Sequence, residues 1–256
     1  MKISGNTVLI TGGGSGIGLA LAGAFYREQN AVIILGRNKD KLARAKRLYP
    51  ELHALQVDIA NEQERYGLVK TLENDFPQLN ILINNAGVAY FGDAQQASEL
   101  FNNARVEIET NYLAPLHLSL LLLPQLQQQQ SAAIVNITSA GVYLPLTVMP
   151  GYSASKAALS SITHVLRQQL ANTPVRIFEV LPPAVDTELV SRFKVQKLQP
   201  GLLAKKILSG IEKDRYDMPI ASARLLRLLG KLAPHFFERL FHRQMGTMLS
   251  AQTDDE

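Results

Sequence analysis

Tyr152 and Lys156 stand four residues apart in the run Tyr152-Ser153-Ala154-Ser155-Lys156. On a helix that spacing puts both side chains on one face. A phenol, with an ordinary pKa of roughly 10, is a poor acid or base at neutral pH. An ammonium one turn away favours the phenolate and is expected to bring it into working range. Ser139 follows the apolar run Ala132-Ala133-Ile134-Val135-Asn136-Ile137-Thr138, which reads as a buried strand. A hydroxyl there can hydrogen-bond a substrate oxygen beside the Tyr152 hydroxyl. A Tyr-x-x-x-Lys pair alone is most often an ordinary helix surface. The elements around it must decide its meaning.

Those elements start with Thr7-Val8-Leu9-Ile10-Thr11, a β-branched apolar run read as the first strand. Gly12-Gly13-Gly14-Ser15-Gly16-Ile17-Gly18 follows, and a helical apolar pattern then runs from Leu19 to Gln29. Strand, glycine turn and helix in that order raise a glycine motif above chance. Gly12 allows the tight turn, Gly16 lets the backbone approach a pyrophosphate, and Gly18 permits close helix–strand packing. The helix N-terminus offers free N–H groups to phosphates, and Gly14, Ser15 and Ile17 belong to the same cradle. A P-loop would need Gly-Lys-Ser/Thr at its end. Gly18-Leu19-Ala20 has no lysine.

The second strand, Ala31 to Leu35, closes on Gly36-Arg37-Asn38. An acidic residue near this point suits a ribose 2′-hydroxyl, and an arginine suits a 2′-phosphate. Arg37 lies 19 residues after Gly18, and no Asp or Glu stands at 35–38. Charge complementarity therefore favours NADP over NAD, with a solvated arginine at a strand end as the plain alternative. The third strand, Leu52 to Val57, runs into Asp58-Ile59, where Asp58 could accept from an adenine amino group. A helix over 61–76 takes Asn61 as its cap. The fourth strand, Asn80 to Ile83, leads into Asn84-Asn85-Ala86-Gly87. Asn84 and Asn85 could tie neighbouring strand ends together.

Residues 98–128 read as a long helical stretch containing Asn111, Pro115 and Pro124. Pro115 removes an N–H that would have bonded near the Asn111 carbonyl, leaving that carbonyl able to hold a water. The Tyr152 helix runs from Gly151 to Leu170, and Val175 to Leu181 is the sixth strand. Pro182-Pro183-Ala184-Val185-Asp186-Thr187 follows, then a polar segment, 188–199, expected to be mobile. A helix over 201–213 and a last strand near 216–220 complete the pattern. Alternating strands and helices imply a Rossmann-type doubly wound parallel sheet of about seven strands, with helices on both faces in three α/β/α layers.

The chain has 256 residues, is 46% hydrophobic and carries a net charge of +4. It has no cysteine, which excludes disulfides and thiolate chemistry. No charge-free apolar run is long enough for a spanning helix. The first residues lead into a strand rather than reading as a signal peptide, so a cytoplasmic protein is expected. Residues 1–220 read as a single dinucleotide-binding and catalytic domain with a substrate loop at 186–199. Residues 221–250 form an amphipathic extension, with Leu225, Leu226, Leu228, Leu229, Leu232, Phe236, Phe237, Leu240 and Phe241 interleaved with basic residues. Its apolar face is expected to pack on the substrate loop or on a second subunit, with an anionic membrane surface as the alternative. Residues 251–256 read as a disordered tail.

The ordered set Thr11-Gly-x-x-x-Gly-x-Gly18, Asp58, Asn84-Asn-Ala-Gly87, Asn111, Ser139 and Tyr152-x-x-x-Lys156 resembles the short-chain dehydrogenase/reductase family over residues 5–220. Residues 108–126 and the leucine- and arginine-rich tail resemble a bacterial subgroup labelled for D-alanine esterification of teichoic acids. The resemblance implies Tyr152 as general acid/base and Ser139 as the hydroxyl that orients the carbonyl. It implies Lys156 on the nicotinamide ribose and Asn111 as anchor of a relay water. It places Ile59, Asn85, Ala86, Gly87, Pro182, Val185 and Thr187 against the cofactor, together with Tyr152 and Lys156. No metal is expected. The family usually has Pro-Gly after the sixth strand, and Pro183 departs from this.

The implied activity is hydride transfer between NAD(P) and a ketone or secondary alcohol. The alternative is a dinucleotide-binding regulatory or scaffold protein with little turnover. A homodimer or homotetramer is implied, with helices near 98–128 and 151–170 pairing across a two-fold axis through Ala154, Ala157, Ala158 and Ser161. No nucleic acid partner is expected. The substrate wall is expected from Val88, Ala89, Tyr90 and Phe91, then Ala140, Val142, Tyr143 and Leu144, then Ala184 and Val185. None of these carries a charge, which points to an apolar, medium-sized carbonyl substrate. Arg192 and Lys194 are the nearby cations.

Overall fold

The computed structural model describes residues 1–191 and 195–232. Arg192, Lys194, the second half of the extension and the expected tail lie outside the described residues.

Seven strands form one parallel sheet: β1 Thr7–Thr11, β2 Ala31–Gly36, β3 His53–Gln56, β4 Leu79–Asn84, β5 Ala132–Ile137, β6 Val175–Leu181 and β7 Asp217–Pro219. Their order in space is β3-β2-β1-β4-β5-β6-β7. The strands are continuous apolar runs because both faces of the sheet are covered. Along β1, Val8 and Ile10 point to one face and Leu9 to the other, as the period of two requires. The first face packs on Leu21 and Phe25 of α1 (Gly16–Arg27) and on Leu203, Ile207 and Ile211 of α7 (Pro200–Glu212). The second packs on Leu68 and Leu72 of α3 (Glu62–Asp75), Leu118 and Leu122 of α5 (Ala114–Gln127) and Leu166 of α6 (Pro150–Gln169). Each such leucine, fully buried, contributes roughly 1.5–3 kcal/mol. Together these layers are the expected Rossmann-type fold.

α1 starts at Gly16, three residues earlier than its apolar pattern suggests. Ser15 stands just before it in an extended conformation, with φ −156°, so the helix begins inside the glycine turn. α2 (Lys39–Leu48) is capped by Asn38, whose side chain accepts from Lys41 N. Asn61 caps α3 by accepting from Gln63 N and Glu64 N. The stretch around Asn111 is not one helix. α4 (Ala97–Ile108) passes into a π-turn over Glu109–Leu113 before α5 begins. Ala114 N donates to Glu109 O, five residues back, and Pro115 has no N–H to continue the ladder. α8 (Ala223–Leu232) follows β7. No helix among the described residues is long and apolar enough to cross a membrane.

The order of strands reverses between β1 and β4. Their C-terminal ends therefore diverge into a crevice, the place where open α/β sheets bind ligands.

Candidate active site and cofactor cleft

The crevice is a cleft of about 1110 Å³ over the ends of β1, β2 and β4. Gly12, Gly14, Ser15, Gly16 and Ile17 line one side, with Arg37, Asp58 and Ile59 beyond them and Asn85, Ala86, Gly87 and Thr187 opposite. Gly12 and Gly16 have φ of +67° and +53°, in the left-handed region that glycine enters without strain. No acidic residue lies in the first turn of α1 and the Ser15 side chain caps nothing, so its leading N–H groups are free to meet an anion.

A Cβ on Gly18 would overlap Gly12 O and the Asn85 amide nitrogen. Gly18 therefore closes the turn from behind rather than lining the cleft. Its tight approach is to that turn and to Asn85, where the sequence suggested a helix–strand contact. Asn85 Nδ2 donates to Thr11 O at 2.9 Å, and Thr11 Oγ1 accepts from both Asn85 N and Ala86 N at 3.0 Å. These bonds lock the end of β4 to the glycine turn. Asn84 Nδ2 donates to Asn136 Oδ1 at 2.8 Å and to Ser119 Oγ at 3.0 Å, tying β4 to β5 and α5. The two asparagines do join strand ends.

At the end of β2, Arg37, Lys41 and Arg44 all line the cleft. Arg37 is exposed and sits 3.8 Å from Asp58, a loose pair worth little to stability. Lys41 donates to Glu188 Oε2 at 2.6 Å across the cleft mouth. Sequence reasoning found Arg37 but not Lys41 or Arg44. Their signal was present, since Lys41 and Arg44 stand three apart and share one face of α2.

The catalytic candidates meet where β5 ends against α6. Ser139, in an extended conformation, accepts from Gly141 N at 3.1 Å and is hydrogen-bonded to the Tyr152 hydroxyl. Lys156 is buried, donates to Ile137 O at 2.9 Å, and lies 5.9 Å from the centre of the Tyr152 ring. Burial lowers its pKa to about 8. Tyr152 moves the other way from the expectation. Burial raises its pKa, the Ser139 hydrogen bond opposes this, and the charge of Glu107 raises it further. Desolvation of the phenolate sets the direction, and the Lys156 ammonium is turned onto a carbonyl rather than onto the phenol.

Asn111 is fully buried in the π-turn. Its side chain accepts from Val88 N at 2.9 Å and donates to Val88 O at 2.8 Å and Ser155 Oγ at 3.0 Å. It therefore holds the segment after Gly87 to the Tyr152 helix. The sequence foresaw only its carbonyl.

Several expected wall and cofactor residues do not line this cleft, and neither do Asn111, Ser139, Tyr152 and Lys156, which lie beside it. Val185, Ala140 and Leu144 are packed into the interior with 3%, 6% and 3% exposure. Pro182 O accepts from Ala140 N at 2.9 Å, and Pro182 is absent from the cleft lining. Asp186, Thr187, Glu188 and Leu189 line it in their place, because Val185 pairs with Leu198 and turns inward. Val88, Ala89, Tyr90 and Phe91 do line the cleft, joined by Glu99, Asn103 and Met149.

Comparison with known proteins agrees with this architecture. The profile of the short chain dehydrogenase family matches residues 6–197. An uncharacterized oxidoreductase of Bacillus subtilis, DltE, is 46% identical over 189 residues, covering 74% of this chain and 75% of its own. A short chain dehydrogenase from Burkholderia cenocepacia, solved in complex with NADP, superposes with a TM-score of 0.83 at 26% identity, over 96% of this chain and 99% of its own. A 3-ketoacyl-(acyl-carrier-protein) reductase from Brucella melitensis, solved with NADH, gives a TM-score of 0.76 at 25% identity, over 82% and 91%. The chain belongs to the short-chain dehydrogenase family and is an oxidoreductase acting on CH–OH and C=O groups.

Proposed function

We propose that this protein uses NADPH to reduce an apolar ketone of medium size, with Tyr152 as proton donor. The observation that carries the reading is the Ser139–Tyr152 hydroxyl pair beside buried Lys156. A phenol whose pKa is raised is protonated at neutral pH, which suits the reductive direction. Bound NADP(H) would supply the hydride, and the protein supplies orientation and the proton. The glycine turn and the α1 N-terminus would hold its pyrophosphate, and Asp58 and Ile59 would flank the adenine. Ser139 orients the substrate oxygen toward the Tyr152 hydroxyl. Asn111 would keep its carbonyl in place for a relay water.

The electrostatics of the cleft favour an uncharged substrate. Among the described residues its lining cations, Arg37, Lys41 and Arg44, all sit at the β2–α2 end. The Val88–Phe91 end carries Glu99 and no cation, so an anionic oxo-acid would lack a partner there. That the Brucella neighbour is a ketoacyl reductase supports an extended acyl chain as one form of the substrate. A carbonyl panel followed by NADPH and NADH absorbance tests this. Rates should rise with alkyl or aromatic size, and a short charged oxo-acid as best substrate would overturn it.

Arg37 would meet the 2′-phosphate in a charge-assisted bond. Arg37→Ala should weaken NADPH binding about ten- to a hundredfold and leave NADH binding nearly unchanged. Calorimetry showing equal losses for the two cofactors would reject the assignment.

We also infer a homo-oligomer. Phe101 of α4, Leu120 of α5 and Val165 of α6 are 64%, 46% and 44% exposed. Ala154, Ala157 and Ser161 are exposed along the same helix as Val165 and permit close helix approach. Light scattering should give a dimer or tetramer at micromolar concentration, and a monomer would contradict the inference.

A further inference from the structure

Glu107, near the C-terminal end of α4, has 1% exposure although it carries a carboxyl group. A buried carboxylate without a cation is costly. Among the described residues, none forms an ion pair with it. Its Oε1 accepts from Tyr90 N at 2.8 Å. Its Oε2 lies against Gly151, where a Cβ would overlap it. Burial holds its pKa above the usual carboxylate range, and the Tyr90 hydrogen bond opposes that rise.

Glu107 acts together with Asn111, four residues on. Asn111 takes both the N–H and the carbonyl of Val88, and Glu107 takes the N–H of Tyr90. An extended chain turns alternate N–H groups to the same side. Two helix side chains thus stand where a neighbouring strand would pair with Val88 and Tyr90. That segment is a wall of the cleft. On its other side Glu107 touches α6 one residue before Tyr152, and its charge acts on that phenol.

The charged and titratable groups on the surrounding elements are few. Arg105 on the same helix stacks over Phe101 at 6.0 Å, and Glu109 in the π-turn pairs with Arg65 at 3.4 Å. Lys156 on α6 is bound to Ile137 O. Tyr90 and Tyr152 lie against it, and Glu99 on α4, Tyr112 in the π-turn, and His164 and Arg167 on α6, held by Glu179 and Asp217, complete the set. No cation among the described residues is directed at Glu107 to offset its charge.

We propose that Glu107 is a positioning residue that clamps the Val88–Tyr90 wall against the first turn of α6 and sets a carboxyl group beside Tyr152. The inference rests on the reading of Tyr152 as the acid/base, and it can be tested without turnover. Tyrosine Cζ is labelled with ¹³C, and Tyr152→Phe identifies the Tyr152 resonance. Glu107→Gln keeps the acceptor for Tyr90 N and removes the charge. Glu107→Leu removes both. The Tyr152 titration midpoint should fall in Glu107→Gln by about half a pH unit or more, because an adjacent carboxylate no longer opposes the phenolate. Amide exchange at Tyr90 should stay slow in Glu107→Gln and quicken at least tenfold in Glu107→Leu. An unmoved Tyr152 midpoint in Glu107→Gln overturns the electrostatic role, and an unmoved Tyr90 exchange rate in Glu107→Leu overturns the clamp. Should Glu107→Leu not fold, Glu107→Asn shortens the side chain and tests the same bond. Failure of the carbonyl panel leaves both readouts intact, so the two readings fail separately.

Discussion

Tyr152→Phe should lose at least about a hundredfold in turnover, the usual size of a general acid/base contribution. The substitution keeps the ring and removes only the hydroxyl. Packing around the ring and the 5.9 Å placement of Lys156 Nζ over it should survive, as should cofactor binding. Ser139 would lose its hydroxyl partner but keep Gly141 N. The sign of the Tyr152 shift adds a second readout in the unmodified protein. Its pKa is raised, so the acid form is available through neutrality. Alcohol oxidation needs the phenolate and should gain with alkaline pH. Carbonyl reduction should not gain over the same range. Near-normal turnover in Tyr152→Phe, or a reductive rate that climbs with pH beside the oxidative one, would remove Tyr152 from the proton path.

Local patterning carried most of the fold. Strand positions were legible because residues such as Val8–Ile10 and Ile33–Leu35 are buried on both faces and must be apolar throughout. The glycine turn was legible because only glycine takes the φ of Gly12 and Gly16 without strain. What the sequence hid depends on contacts between distant segments. Lys41 meets Glu188 across 147 residues, and no property of α2 announces that partner. Glu107 looks like one more polar position on a helix until the fold lays Tyr90 and Gly151 on either side of it. The direction of the Tyr152 shift was hidden for a related reason. Spacing tells that Lys156 is near, but only the fold shows the phenol desolvated and the ammonium held by Ile137 O. The burial of Val185 was not legible because its apolar character suits a pocket wall and a core equally well. The pairing with Leu198 decides between them.

Lys156→Met should lower turnover steeply and at the same time make the protein more stable at neutral pH. Lys156 has 3% exposure, and burial lowers its pKa from 10.5 to about 8. The unfolded chain therefore binds its proton more tightly than the native one between those values. Where the unfolded state holds more protons, stability rises with pH. At and below about pH 7 both states are charged, and the native state carries the full desolvation cost, roughly 3 kcal/mol by linkage. Methionine has a similar length and no charge to desolvate. It does forfeit the 2.9 Å bond to Ile137 O, which returns about 1 kcal/mol. The net gain at pH 7 should be roughly 1–2 kcal/mol, visible as a rise of several degrees in Tm. The gain should shrink as pH climbs from 8 toward 10.5, because native Lys156 sheds its proton and its cost with it. Turnover should fall at least about a hundredfold, since the variant has neither the ammonium nor its bond to β5. Chemical denaturation at pH 7 and pH 10 separates the explanations. A variant less stable at pH 7, or one whose gain is the same at both pH values, would mean that the buried ammonium is not a strained group held for function.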